Sequence, residues 1–283
     1  MSSVEVDLQN LSKECSALVS SKSFSICTLV TRREEYLEMV ESFIHAGFDR
    51  ESCEFLYLDN SEKNEWDAFR AYNHFLKVSN GEYVIICHQD ILLKFDKRNI
   101  LEACIVELDQ KDPQWAVAGN AGGVCLGVRA LCITDANGHC KSAGLPLPVQ
   151  SLDENFILMK AKANLAVSGD LEGFHLYGTD LCQVARFLGY RAYVIPFHLY
   201  HKSSGDCDDS FFKLREEMKK KYHWKLKDRY IQTTVMRFYL SSNPLKQLIL
   251  NINIISSVYK RIHQIIFKLK GPRFFTGKSN ESV

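Results

Sequence analysis

The nine residues Glu82 to Asp90, EYVIICHQD, decide the fold. They join an apolar, β-forming run to an abrupt polar end, and Asn80-Gly81 breaks the chain just before them. An uninterrupted apolar run of this length suits a strand covered on both faces, as in a parallel sheet. The same unit recurs on the N-terminal side. Phe24 to Val30 (FSICTLV) is followed by Thr31-Arg32, then by helical spacing from Glu34 to Ala46 (Leu37, Val40, Ile44) that Gly47 stops. Cys53 to Leu58 (CEFLYL) ends at Asp59-Asn60-Ser61 and is followed by a helical stretch from Trp66 to Val78. On the C-terminal side, Arg98 to Leu108 reads as a helix and Gln114 to Ala118 (QWAVA) as a fourth strand. This β-α-β-α-β-α-β order predicts an α/β domain with a mostly parallel central sheet flanked by helices. Ligands of such sheets bind beyond the carboxyl ends of the strands. Thr31, Asp59, Asn60 and His88-Gln89-Asp90 therefore stand where chemistry is expected.

The second half changes character. Val128 to Thr134 and His139 to Gly144 flank Asp135-Ala136-Asn137-Gly138, a hairpin turn signal. Asn155 to Met159 reads as a further strand, Thr179 to Leu188 as a helix stopped by Gly189, and Ala192 to Ile195 as a last strand before Pro196. Residues 1–23 form a polar arm. The 283 residues carry 46% hydrophobic and 24% charged side chains, which fits a packed globular chain and not a disordered one. The net charge of +1 gives no reason to expect nucleic acid as a partner. That balance hides an asymmetry: residues 229–283 hold nine Lys and Arg against Glu281 alone, which leaves the first 228 residues at −7. None of the ten cysteines is spaced as C-x-x-C, no signal peptide opens the chain, and no apolar run is long enough to span a membrane. A cytoplasmic protein with reduced thiols is expected.

Three clusters could carry chemistry. In Cys87-His88-Gln89-Asp90, a carboxylate beside an imidazole can hold a divalent cation, and the cation a diphosphate; the plainer reading is a turn with Asp90 as a cap. In Gly173-Phe174-His175-Leu176-Tyr177-Gly178-Thr179-Asp180, Asp180 opens a helix, either as a simple cap or as a general base with His175 and Tyr177 shaping the site. His201, in His198-Leu199-Tyr200-His201, is either a hydrogen-bonded loop histidine or the residue that completes a metal site with Asp90.

Taken in order, Asp59-Asn60, Gly81-Glu82-Tyr83, His88-Gln89-Asp90, Phe174-His175-x-Tyr177-x-x-Asp180-Leu181-Cys182, Gly189-Tyr190-Arg191 and His201-x-Ser203-x-Gly205 resemble the bacterial family 2-like glycosyltransferases of GT-A fold, in the branch with His-Gln-Asp in place of Asp-x-Asp. The resemblance covers residues from about 24 to 225. It implies a GT-A, Rossmann-like domain over 24–228, with a nucleotide-sugar half (24–125) and an acceptor half (126–228). It also implies a metal-dependent inverting transfer of a sugar from a nucleotide-diphosphate donor to a hydroxyl of a glycan or lipid-linked glycan, in surface polysaccharide synthesis. Thr31, Asp59, Asn60, His88, Gln89 and Asp90 would bind the donor, and Asp90 and His201 a Mn²⁺ or Mg²⁺ ion. Asp153, Glu154, His175 and Tyr177 would form the acceptor and sugar site, and Asp180 would take the acceptor's proton. The segment from Asp206 to Lys221 would close the cleft.

Two other readings compete. A sugar nucleotidyltransferase would need a Gly-rich phosphate loop after the first strand, where Thr31-Arg32-Arg33-Glu34-Glu35 has no glycine. An inert carbohydrate-binding or scaffold protein of the same fold would tolerate loss of the acids that are present here. Residues 229–283 form a basic tail in which Pro244 to Lys270 repeats apolar residues three or four apart (Leu245, Leu248, Ile252, Ile255, Tyr259, Ile262, Ile266, Leu269), predicting an amphipathic helix or helix pair. Through 235–270 it would pack on the body or on a second copy, or lie on an anionic membrane at the inner face of the cell membrane.

Overall fold

The computed structural model describes residues 20–125, 128–136, 138–203, 208–225, 228–232 and 237–270. The polar arm predicted for 1–23 lies almost wholly outside them. The chain forms two compact units, residues 1–216 and 217–283, so the division falls some twelve residues before the expected 228.

The first unit holds β1 (Lys22–Val30), α1 (Arg33–His45), β2 (Cys53–Asp59), α2 (Ala68–Val78), β3 (Gly81–Cys87), β4 (Ile91–Leu92), α3 (Arg98–Lys111) and β5 (Trp115–Gly119). These are followed by β6 (Ala121–Cys125), β7 (Val128–Asp135), β8 (Gly138–Lys141), β9 (Leu147–Val149), β10 (Ser151–Leu152) and β11 (Phe156–Lys160). A short 3₁₀ turn, α4 (Tyr177–Phe187), β12 (Arg191–Val194) and β13 (Leu199–His201) complete it, and α5 (Asp209–Lys225) runs across the division. The second unit adds a hairpin of β14 (Arg229–Gln232) and β15 (Arg237–Leu240), then α6 (Pro244–Leu250) and α7 (Asn253–Lys270).

The central sheet runs β2-β1-β3-β11-β5-β12-β9. β1 pairs in parallel with β2 and β3, and β5 in parallel with β12; β11 lies antiparallel between β3 and β5, and β9 antiparallel at the edge. The expected mixed α/β architecture is thus present, with five strands in one direction. Its core is aromatic and aliphatic: Phe24, Ile26, Phe43, Phe48, Ile85, Trp115, Phe156 and Leu158 are all buried. Gly81 permits the close seating of β3 on β1, since a Cβ there would lie 2.5 Å from the backbone nitrogen of Ser25. α2 starts at Ala68 and not Trp66, because the Asp67 carboxylate accepts from the N–H groups of Phe69 and Arg70 and caps it there.

A second sheet, β10-β6-β7-β13-β4 with β8 on β7, packs beside the first. The predicted hairpin is β7 and β8, although Asn137 in its turn lies outside the described residues. The eight described cysteines are free thiols.

One polar knot ties β12 to the end of α3. Asp112 accepts from the Arg191 guanidinium through both oxygens, from the Tyr193 hydroxyl at 2.8 Å and from the N–H of Gln114 at 3.0 Å. The hydrogen bond from Arg191 is foremost in holding the Asp112 carboxyl down at about 2. A carboxyl held below its unfolded value adds stability above that value and loses it as pH falls toward the folded one. The wild type is therefore expected to lose its advantage over Asp112→Asn between about pH 4 and pH 2. Urea melts of both proteins across that window check this; a constant gap would mean that Asp112 acts by shape alone.

Candidate active site

The carboxyl ends of β1, β2 and β3 share one edge of the sheet, with Val30 opposite Asp59 and Cys27 opposite Ile86. At this edge the chain leaves β3 through His88, Gln89 and Asp90 and at once forms β4. The antiparallel pairing of β4 with β13 sets His201 opposite Ile91. The N–H of Lys202 donates to the Asp90 carbonyl at 3.0 Å. Two positions 111 residues apart in sequence are thereby joined.

His88, Asp90 and His201 form one cluster, each offering a ligand atom within 4.8 Å of the other two. His201 Nε2 lies 3.3 Å from Asp90 Oδ1 and 3.1 Å from the Ser203 hydroxyl, and the rings of His88 and His201 have centroids 5.6 Å apart. Asp90 and His201 are buried, while His88 is half-buried and is the member that meets solvent. Burial pushes the Asp90 carboxyl up, but the hydrogen bond and charge of His201, the charge of His88 and the Ser203 hydroxyl outweigh it and hold Asp90 well below the usual carboxylate range. Burial, then repulsion from His201, hold the His88 imidazole below its ordinary value, which favours the neutral ring that binds metals. Two imidazoles and one ionised carboxylate fit a divalent cation. The nitrogen-rich set suits Mn²⁺ better than Mg²⁺, which prefers oxygen.

Tyr177, predicted for the acceptor site, serves this cluster from behind. Its hydroxyl lies 3.0 Å from His88 Nε2, accepts from the Tyr72 hydroxyl at 3.0 Å and donates to the Glu154 carbonyl at 3.3 Å. Nothing in the sequence pointed to Tyr72, which is buried on α2 and reads as a core residue. Outer partners that fix a ligating ring raise metal affinity by about 10–100-fold. Tyr177→Phe is expected to weaken Mn²⁺ binding by about that factor, which titration calorimetry would detect; unchanged affinity would reduce Tyr177 to a packing residue.

The turn between β10 and β11 closes the other side. The His88 N–H donates to the Asn155 carbonyl at 3.0 Å, and the charge of Asp153 acts on the His88 ring. Asp153 is exposed. Glu154 is half-enclosed beneath it and accepts from the Gly178 N–H at 3.2 Å. Burial, reinforced by the charge of Asp153, pushes the Glu154 carboxyl up to about 8. Gly178 makes this approach feasible, since a Cβ there would meet the Leu152 carbonyl at 2.6 Å and Glu154 Oε1 at 3.3 Å. His175 stands at the margin, with Nε2 3.5 Å from Asp208 and its ring against Phe211.

Four predicted residues hold structure at this edge. Gln89 accepts from the N–H groups of Thr31 and Arg32 and donates to the Thr31 hydroxyl, tying the end of β1 to that of β3. Asn60 is buried, and its amide is engaged with both backbone groups of Trp66. Asp59 is exposed and accepts from the Ser61 N–H.

Asp180, expected to take the acceptor's proton, lies inside the protein. It has no solvent exposure, and its two oxygens accept from the Ser168 N–H and the Ser168 hydroxyl, each at 2.7 Å. α4 begins at Tyr177, after Leu176 in the left-handed conformation, and holds Asp180 in its first turn with the carboxylate engaged by Ser168 and not open to solvent. Its work is to fasten the 168 loop to α4. Two cavities, of about 240 Å³ beside Pro148, Cys182 and Arg186 and about 50 Å³ beside Leu76, Met159 and Leu165, contain none of the cluster residues.

Fold and site together define an α/β protein with a His-Asp-His centre able to hold a divalent cation at the carboxyl edge of its sheet. The chain belongs to the same family as the "ATP synthase subunits region ORF 6" protein of Fuscovulum blasticum, with which it is 41% identical over 210 residues, covering 72% of this chain and 84% of that protein. That name states no activity. No family model matches the sequence. Among solved structures, similarity is found to the mannosyltransferase PcManGT of Pyrobaculum calidifontis in complex with GDP-Man and Mn²⁺ (TM-score 0.48, 13% identity, covering 86% of this chain and 73% of that one). It is also found to S. aureus TarS 1-349 in complex with UDP-GlcNAc (0.48, 13%, 69% and 65%). GalNAc-T7 with UDP, GalNAc and Mn²⁺ is a third (0.47, 9%, 64% and 44%), so this chain spans under half of GalNAc-T7.

Proposed function

We propose that this protein is a metal-dependent glycosyltransferase that moves a sugar from a nucleotide-diphosphate donor to a hydroxyl of a glycan or lipid-linked glycan, with inversion. The observation that carries this reading is the convergence of His88, Asp90 and His201 beyond the ends of three parallel strands. A divalent cation bound there would supply the positive charge that offsets the growing charge of a diphosphate leaving group. Thr31 and Asp59, at the neighbouring strand ends, would face the nucleoside, and Asp59 is the exposed acceptor for its hydrogen-bond donors.

An acceptor hydroxyl is a poor nucleophile at neutral pH and must give up its proton as it attacks. With Asp180 enclosed, that task falls in this reading to Asp153, the exposed carboxylate whose charge acts on the His88 ring. Glu154 beneath it stays largely protonated at neutral pH and would hold the turn through its hydrogen bond with Gly178. A nucleophile from the chain is not required, since one base and one leaving-group partner suffice for inversion.

The test is to incubate the full chain with a panel of nucleotide sugars and Mn²⁺ and measure nucleoside diphosphate release. Release with one donor class, lost in Asp153→Asn while donor affinity persists, supports the reading. Tight donor binding without release in the presence of any hydroxyl acceptor would favour the inert carbohydrate-binding alternative.

A further inference from the structure

The second unit carries a surface that the transfer reaction does not use. In α7, Ile254, Val258, Ile262, Ile265 and Leu269 are all exposed, Ile254 at 77% and Leu269 at 79%. Their spacing of four, four, three and four places them in one stripe about 80° wide along a helix about 27 Å long. The helix satisfies its own unit with a different face: Ser256 is buried, Ile255 and Ile266 are half-buried, and the Tyr259 ring packs on Tyr230 with centroids 5.4 Å apart. The predicted amphipathic pair is therefore present as α6 and α7, but the most regular apolar stripe of α7 points outward. Leu245, Leu248 and Ile249 of α6 add further exposed apolar surface.

Charge identifies the occupant. Between residues 229 and 280 the sequence has no acid, and Lys260 and Arg261 are exposed, with Arg261 bordering the stripe. A second copy docked on this face would bring Arg261 toward its own counterpart, whereas an anionic lipid surface offers hydrocarbon to the stripe and negative charge to its border. No helix among the described residues is long and apolar enough to cross a membrane, which matches a helix lying in the interface. We infer that α7 docks on anionic membrane surfaces, with Ile254, Val258, Ile262, Ile265 and Leu269 entering the acyl boundary and Arg261 at the headgroups.

Co-sedimentation of the full chain with phosphatidylcholine vesicles, with and without phosphatidylglycerol, tests this. Strong pelleting is expected with the phosphatidylglycerol vesicles, and at least ~10-fold less with neutral vesicles or in high salt, which screens the attraction. Ile254→Ser/Ile265→Ser/Leu269→Ser changes only exposed side chains; it is expected to keep the wild-type melting temperature and to lose most of the partition. Arg261→Glu is expected to reduce it as well. Equal pelleting of wild type and triple variant would overturn the inference. So would a concentration-dependent dimer, seen without vesicles and abolished by the triple variant, because it would assign the stripe to a second copy.

Discussion

Replacing Asp90 with Asn is expected to cost more than ~100-fold in Mn²⁺ affinity. Removing only an outer partner of a metal ligand costs about 10–100-fold, and Asp90 is the sole carboxylate of its cluster. The substitution keeps the side chain's size but removes the negative charge that draws a divalent cation to the two imidazoles. The expected affinity also falls with acidity, since protons compete for both rings and displace the cation. Calorimetric titration of Mn²⁺ against wild type and Asp90→Asn would show the loss, and the Asp90→Asn melt in the absence of metal would show whether the fold persists. Equal affinity in the two proteins would remove Asp90 from the site.

The second large effect is structural. Asp180→Ala is expected to leave the Ser168 N–H and hydroxyl enclosed without acceptors. Stranding a buried donor costs about 1–3 kcal/mol, and two donors from one residue belong at the upper end of that range. For a unit of this size each kcal/mol moves Tm by about 2–4 °C. A drop of about 6–12 °C follows, with nucleotide-sugar affinity largely retained at temperatures where the variant is folded. A general base would behave in the opposite way, losing turnover with Tm unchanged. Asp180→Asn discriminates further: it retains one acceptor for Ser168 but turns an N–H₂ toward the other donor, so Tm should fall less than with Ala but still fall. An Asp180→Asn protein with wild-type Tm and no turnover would restore Asp180 to the chemistry.

The burial of Asp180 shows what a helix-start pattern leaves out. Acidic residues near a helix N-terminus cap it or face a cleft, and both readings depend on where the helix begins. Leu176 adopts a left-handed backbone, which leucine rarely does, and so starts α4 two residues ahead of the predicted Thr179. The turn then rotates Asp180 inward. The main strands were readable because runs such as FSICTLV and EYVIIC carry few polar residues. β11 was readable as a strand but not in direction, since an apolar run looks alike parallel or antiparallel, and its place between β3 and β5 is decided by tertiary packing.

The meeting of His201 with Asp90 depends on β4, a pair of residues too short for any periodicity to reveal. Local sequence offered their meeting only as one of two readings, the other leaving each as an ordinary turn residue, and the resemblance favoured it. Tyr72 was hidden for the opposite reason: its position on the apolar face of α2 is fully explained by packing, and its hydroxyl contact with Tyr177 leaves no trace in spacing. Asp153 and Glu154 differ in their surroundings far more than their adjacency suggests, one open to solvent and one half-enclosed, and the sequence presents them only as a pair of acids.

The most direct test of a donor-binding metal centre is a Mn²⁺ titration followed by electron paramagnetic resonance, on wild type and His201→Ala, with and without a nucleoside diphosphate. Linkage requires that if the diphosphate binds through the ion, each tightens the other by the same factor. One Mn²⁺ per wild-type chain, held more tightly when diphosphate is present and lost in His201→Ala, is the predicted result. A wild-type chain that leaves Mn²⁺ free in solution, or binds it identically with His201 removed and regardless of diphosphate, would contradict it.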